Sequence, residues 1–591
     1  MRIGLLTEGG YPYVSGDARL WCDRLVRGLG QHEFDIYALS RSERQEDEGW
    51  IELPSHVGRV RTAPLWTAGD DGVVHGRRAR RRFTECYGEL VTALCAGGAG
   101  GAQQSSPDSS GESGEVCASE ADRFSSALYG LAELARDEGG LVGALRSERA
   151  VRALECACRA PGAMRAAREA RVPDLLAVAA HLEHALRPLS LDWYEDDGLG
   201  SADLCHAASG GAAALPGLLA RHFFGVPLLV TEYGVRLRTH YLASGAGPTA
   251  EAAPSVRALL AAFHGRLAAE VYRRAARVTP GNAHARRWQE RCGAGRDKLR
   301  TVYPGMDASP FAEVGEAPEC ADPDTLVWVG RIEPAKDLVS LLHAFAEVRK
   351  EEPKTSLRIV GAAVGAEGEA YLGHCKALAA QLFPDEAEGP HTVGDNPVSF
   401  EEIGGPEAPT VAEAYASGAV TVLSSVVEGF PISLVEAMFC GRATVSTDVG
   451  AVVEVIGGTG LVVPPRNPRA LAEACVTLLR DPERRARLGA AARARALELF
   501  TVEQNIAAFH GIYLEIVSHS PVNRVALDRT GEPLPFAVPA EAHLPGRWTG
   551  PVARVAARGG PGWAAGPPVR ETAPVRAASS VVARVTAEGA R

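Results

Sequence analysis

The sequence predicts an α/β protein built from two doubly wound parallel-sheet units, on three observations. Residues 3–7 form an apolar, strand-like run that passes through a Gly-containing loop into a helical pattern carrying Leu20, Trp21, Leu25 and Leu29. From residue 325 onward, short β-branched runs alternate with helical patterns, as a parallel sheet with crossover helices requires. Between these halves, residues 313–324 contain Gly, Pro and acids without periodicity, the composition of a linker. At 591 residues the chain exceeds what one hydrophobic core holds. The expected organisation is a first Rossmann-like domain over 1–318 with a flexible insertion at 97–123, a second over 319–500, a last helix over 501–517, and a disordered tail over 518–591.

A net charge of −11 argues against a general nucleic-acid binder. The basic run at 77–82, with arginine at every position except Ala79, reads as a solvated face. No stretch of about 18 apolar residues is free of charge, and the first residues enter a strand without a signal-type apolar region, so the expected location is cytoplasmic. The twelve cysteines show no C-x-x-C pairing and read as reduced thiols, with no metal expected. Arginine outnumbers lysine 57 to 5, so a lysine at a chosen position carries information.

In the first half, 97–123 is rich in Gly, Ser, Gln and acids and poor in large apolar groups. The Ala, Leu and Arg pattern over 123–187 is helical. Two short apolar strands follow, ending near His206 and at Thr231 and Glu232, where ligand-facing loops sit at the carboxyl edge of a parallel sheet. This position makes His206 a catalytic candidate, with a buried histidine satisfied by backbone as the equal alternative.

In the second half, the strand pattern over 325–330 runs into Arg331 and Lys336, flanking a strand-to-helix turn where cations and amide donors can neutralise a departing diphosphate. A further strand pattern, Leu357 to Val360, ends at Gly361. The run Thr421-Val422-Leu423-Ser424 is a strand pattern leading to Glu428, a Gly429-Phe430-Pro431 turn, and a helix that carries Glu436. Backbone N–H groups of Phe430, Ile432 and Ser433 lie between the two acids. Carboxylates suit sugar hydroxyls, and amides at a positive helix end suit phosphate oxygens. Strand-and-turn patterns at 443–450 and 460–465 and a helical pattern at 470–495 complete this half, and the tail beyond 518 holds nine Arg against five acids over 521–591.

The pattern E-G-F-P-x-x-L-x-E-A-M from Glu428 to Met438 resembles the E-x7-E motif of retaining glycosyltransferases of family 4, which have the GT-B fold. The segment G-R-I-x-x-x-K-D from Gly330 to Asp337 resembles that family's phosphate-binding G-R-L-x-x-x-K-G. The opening, E-G-x-Y-P-Y-V-x-G from Glu8 to Gly16, and the pairs around His206 and Glu232 resemble the PelF-like bacterial exopolysaccharide transferases, with Asp17 and Tyr233 departing from a glycine and a histidine.

The resemblance implies two Rossmann-like domains facing a central cleft, with the last helix crossing back to the first domain. It further implies a retaining hexosyltransferase that takes a nucleotide diphosphate sugar, UDP-sugars such as UDP-glucose first, to a glycan acceptor in exopolysaccharide synthesis. The catalytic set would be Glu428, Arg331, Lys336 and His206. The donor set would be Gly16, Gly330, Arg331, Lys336, Glu428, Gly429, Phe430, Pro431, Ile432, Ser433 and Glu436, with Glu428 on the sugar hydroxyls, Glu436 on the ribose and the two cations on the diphosphate. No cofactor beyond the donor is implied. Membrane polysaccharide synthase subunits are partners open to this reading, with the protein at the inner membrane face. The alternative is a non-catalytic nucleotide-sugar-binding subunit of such a synthase.

Overall fold

A continuous apolar run makes the first strand, and burial on both faces fixes it at the centre of a sheet. In β1 (Arg2–Glu8), Ile3, Leu5 and Leu6 are all but inaccessible. The strand pairs in parallel with β2 (Glu33–Ser40) on one side and β4 (Leu204–Ala207) on the other. With β3 (Val57–Pro64), β5 (Leu228–Glu232) and β6 (Arg277–Pro280), the parallel order is β3-β2-β1-β4-β5-β6. A two-residue strand, Val582–Ala583, pairs antiparallel with β3 at the edge. The computed structural model describes residues 1–15, 19–67, 69, 71–96, 112–195, 198–243, 253–316, 322–384, 396–520 and 582–583.

Between β3 and β4, where one helix would serve as a crossover, a helical layer is built instead from Arg77–Cys95, Glu112–Glu138, Glu148–Arg159 and Val172–Leu186. Their buried Phe83, Leu90, Leu131, Leu154 and Leu182 join Leu6, Tyr37 and Leu39 of the sheet in one core. The basic run opens the first of these helices. Arg81 pairs with Glu85, and Arg82 pairs with Glu133 and Asp137, as the reading of a solvated face requires. The helix Glu112–Glu138 begins inside the segment expected to be flexible, because apolar Phe124, Leu128 and Leu131 continue its packed face; residues 97–111 lie outside the described residues.

The second sheet repeats the first. Its parallel order is β12-β11-β10-β7-β8-β9, from β7 (Asp322–Val329), β8 (Ser356–Val360), β9 (Val398–Glu401), β10 (Gly418–Leu423), β11 (Ala443–Thr447) and β12 (Leu461–Val463). Side chains alternate across it: Leu326 and Trp328 of β7 enter one apolar core, Val327 and Val329 the other. Numbered from its own first strand, this sheet has the 3-2-1-4-5-6 order of the first, and both match the doubly wound dinucleotide-binding arrangement.

Two such units on one chain form the GT-B class of fold. The first comprises residues 1–280, 285–301 and 506–591, and the second 281–284 and 302–505. The second unit thus starts at 302 instead of the expected 319, because Met306 bridges to Thr501, bonds the Phe500 carbonyl, and joins Phe311 in the second unit's core. The last helix, Val502–His519, begins in the second unit, which ends at Asn505, and continues in the first. The expected disordered tail lies outside the described residues beyond 520, except for the short strand. No helix among the described residues is long and apolar enough to cross a membrane.

Candidate functional site

In a doubly wound sheet, ligands gather where the strand order reverses, outside the carboxyl ends of strands one and four. In the second unit those ends belong to β7 and β10, and the loops that leave them carry the two strongest sequence motifs. After β7 the chain passes Gly330 and makes a tight 3-10 turn, Pro334–Lys336, which turns Lys336 inward. Asp337 follows at φ 48°, a left-handed conformation that Asp tolerates, and its side chain caps the helix Leu338–Glu351 by accepting from the Ser340 amide at 3.2 Å. After β10, Ser424 and Ser425 lead to Glu428, and the helix Ile432–Phe439 begins directly after Pro431.

The two loops lock together. Val426 N–H donates to the Ala335 carbonyl at 2.9 Å, and the Ser424 hydroxyl donates to the Lys336 carbonyl at 2.7 Å. Lys336 Nζ then meets Glu428 Oε1 at 2.5 Å, and the Ser425 hydroxyl donates to the same oxygen at 2.7 Å. The pair is largely shielded, with side-chain exposures of 15% and 8%. Thr447, at the end of β11, donates to the Ser425 carbonyl at 2.6 Å and fixes the loop from below. Gly450 approaches so closely that a Cβ there would stand 2.4 Å from the Glu428 carbonyl, at a φ of +58° that favours glycine.

Glu436 sits one and a half turns into the helix, half-buried, with the Tyr415 hydroxyl donating at 3.0 Å. Burial raises its pKa, and the Tyr415 hydrogen bond opposes that rise. The N–H groups of Ile432 and Ser433 precede the first intrahelical bonds, made by Leu434 and Val435 to the Pro431 carbonyl. Gly330 N–H donates to Val360, and Gly361 has no room for a Cβ, which would stand 1.8 Å from the Gly330 carbonyl.

At the corresponding edge of the first unit, Glu8 ends β1. Its Oε1 accepts from Arg236 at 3.0 Å and Arg41 at 3.2 Å. Burial alone would raise the Glu8 pKa, and the two guanidinium groups overcome this and hold it below its ordinary value. The loops beside it are tied by Glu232, buried at the end of β5, which accepts from the Arg236 amide at 3.2 Å. Burial raises the Glu232 pKa against hydrogen bonds from Tyr272 and the Arg236 and Gly210 amides.

Residues 1–297, half of the chain, match the family model described as "Domain of unknown function (DUF3492)". The chain belongs to the DUF3492 family. Residues 323–481 of this DUF3492 protein match a second model, "Glycosyl transferases group 1", so both second-unit loops lie in that match. It is 31% identical over 221 residues to a D-inositol 3-phosphate glycosyltransferase of Kineococcus radiotolerans, covering 34% of this chain and 49% of the relative. It is likewise 31% identical over 210 residues to a GDP-mannose-dependent alpha-(1-6)-phosphatidylinositol monomannoside mannosyltransferase of Mycolicibacterium smegmatis, covering 34% and 52%. The chain spans about half the length of these curated relatives. The Anabaena HepE structure in complex with UDP aligns over 87% of this chain and 99% of that one, at 14% identity and a TM-score of 0.49.

Of the sequence-derived site residues of the DUF3492 protein, Lys336 and Glu428 are in direct contact, with Gly429, Phe430, Pro431, Ile432, Ser433 and Glu436 on the same loop and helix. Arg331 is not brought to them. Its side chain is 73% exposed, and Glu333 stands 3.9 Å away. Gly16 lies outside the described residues, as does Asp17. His206 is corrected from a catalytic candidate to a core residue. It is inaccessible, its Nδ1 lies 2.7 Å from the Tyr513 hydroxyl and its Nε2 2.7 Å from the Thr231 hydroxyl, and burial pushes its pKa down to about 3. Tyr233 packs edge-on against Trp21, with ring centroids 5.4 Å apart. Sequence reasoning passed over Ser425, Tyr415 and Gly450, which hold the acids in position. The Ser424-Ser425 pair at a strand end was the available signal.

Proposed function

We propose that this protein is a glycosyltransferase that moves a hexose from a nucleotide diphosphate sugar to a glycan acceptor with retention of configuration. The observation that supports the reading is the shielded Lys336–Glu428 pair at the switch point of the unit that matches a glycosyltransferase model. In the pair, the carboxylate occupies the cation. A donor offers better partners to both: sugar hydroxyls donate to Glu428, and diphosphate oxygens accept from Lys336 and from the first-turn amides of the helix Ile432–Phe439. Lys336 then meets charge that grows on the leaving diphosphate, an interaction stronger in the transition state than in the ground state. Glu436, kept close to Tyr415, would accept from the ribose. Arg331, at the rim, would reach the diphosphate only by swinging from its exposed position.

The relatives' names give differing chemistry, one naming GDP-mannose and the other inositol 3-phosphate, so donor identity is the first thing to measure. The expected donor is a UDP-sugar. Binding and product formation across UDP-, GDP- and ADP-sugars, for the wild type, Lys336→Ala and Glu428→Ala, test the reading. Turnover of one donor, reduced about 10²- to 10³-fold in Lys336→Ala, supports it. Binding without transfer or donor hydrolysis would replace it with a nucleotide-sugar-binding subunit, and absence of binding by every donor would remove the site.

A further inference from the structure

The first unit has its own switch point, between β1 and β4, and a cavity of about 540 Å³ opens there. That is the size of a small-molecule site. Its walls include Glu8 at the end of β1, Arg41 just after β2, Gly211 in the loop that follows β4, and Arg236, the first residue of the helix that follows β5. Helices complete it with His181 and His184 from Val172–Leu186, His240 from Arg236–Ala243 and His264 from Pro254–Arg274.

Among the described residues that line this cavity the charge does not balance: Glu8 is the one carboxylate against two guanidinium groups, which share one of its oxygens. The Arg41 and Arg236 side chains remain 45% and 42% exposed, and a guanidinium has five N–H donors, so both keep donors for a ligand. Three of the histidines, His181, His184 and His264, have their charged form disfavoured by burial. Burial lowers the His264 pKa to about 3, with Arg236, His240 and His181 acting in the same direction. Burial likewise lowers His181, reinforced by His184, Arg236 and His240, and lowers His184, with Arg187 reinforcing and Glu183 and Glu8 opposing. His240 is held by its contact with the Arg257 carbonyl at 2.9 Å. Two guanidinium groups repel a metal cation, and no group of three or more His, Cys, Asp or Glu among the described residues is arranged to hold one. Forked guanidinium donors beside lining imidazoles are matched to a planar or tetrahedral oxyanion.

We propose that this cavity binds the oxyanion, phosphate or carboxylate, of a hydroxylated acceptor, held by Arg41 and Arg236 with the lining histidines as further donors. The word acceptor rests on the glycosyltransferase reading; the oxyanion site rests on the cavity alone. Glu8 sets the two arginines in register from beneath, so it is a positioning residue.

Calorimetric titration of the full chain with glucose, glucose 6-phosphate, glucuronate and inorganic phosphate tests this, on the wild type, Arg41→Gln and Arg236→Gln. Thermal unfolding of each variant and its affinity for the nucleotide sugar are measured in parallel. The expected result is binding of glucose 6-phosphate or glucuronate, weakened about 10- to 100-fold in both variants, with unfolding and donor affinity unchanged. Whichever of the two binds identifies the oxyanion as phosphate or carboxylate. Equal binding of glucose would overturn the oxyanion, and equal binding of inorganic phosphate would overturn the acceptor. Loss confined to a variant whose unfolding midpoint also falls would be decided by the other arginine, and no loss in that second variant would overturn the site. Transfer with no anionic sugar bound would sink this inference alone. Binding of an anionic sugar by a chain that takes no donor would sink the transferase reading and leave the site.

Discussion

Lys336 and Glu428 show why a shielded ion pair is better evidence of function than of stability. Two well-packed apolar groups would hold the loops at lower desolvation cost, whereas removing one partner strands the other. Lys336→Ala should therefore destabilise the protein by about 3 kcal/mol, while Lys336→Ala with Glu428→Ala should cost less than the sum of the single changes. Urea unfolding of the four proteins gives the cycle. His206 supplies a second test, in which pH separates a core role from a catalytic one. Its folded pKa, about 3, lies below the unfolded value of roughly 6.5, so the unfolded chain binds the extra proton. The stability this residue contributes is complete above the unfolded value and is lost as pH falls toward the folded one. His206→Gln should be less stable than wild type at pH 7, and the gap should narrow by about 2 kcal/mol at pH 5. A gap independent of pH would contradict the neutral, buried imidazole.

The loops after β7 and β10 are held by close backbone approach as well as by side chains, and glycines report the backbone part. Gly450→Ala places a Cβ against the Glu428 carbonyl in a left-handed conformation, whereas a Cβ at Gly429 meets nothing within 4 Å. Gly450→Ala should weaken donor binding about tenfold or more, on the scale of 1.4 kcal/mol per decade, and Gly429→Ala should leave the unfolding midpoint unchanged. Direct donor titration and thermal unfolding separate the two. This scale also explains what the sequence made legible. The spacing of Glu428, Pro431 and Glu436 is local, and it was read directly because one strand, one turn and one helix hold all three. The direction of Arg331 was not legible, because a residue's place in a strand-to-helix turn does not give it: the Pro334–Lys336 turn carries Lys336 in and leaves Arg331 at the surface. His206 was undecidable because its partner, Tyr513, arrives on a helix 307 residues later. The cavity of the first unit was invisible for the same reason, since Glu8 ends β1, Arg41 follows β2 and Arg236 opens a helix more than 190 residues later.

At the scale of the whole chain, one topological rule appears twice. Both sheets reverse order between their first and fourth strands, and each carries a charged cluster there, a shielded pair in one and an excess of arginine in the other. Each unit also has its own core, so a ligand confined to one unit should stabilise that unit's opening reactions first. Linkage gives the size: a donor at 100 times its Kd adds about 2.7 kcal/mol to any opening that destroys its site. Amide exchange in saturating nucleotide sugar should therefore slow in β7, β10 and the helix Ile432–Phe439, by up to about 100-fold where exchange requires that opening. Strands β1, β2 and β4 should keep their rates, and Lys336→Ala should remove the effect. Equal protection of both sheets would mean that the chain opens as one cooperative body, so that a donor held by the second unit stabilises both.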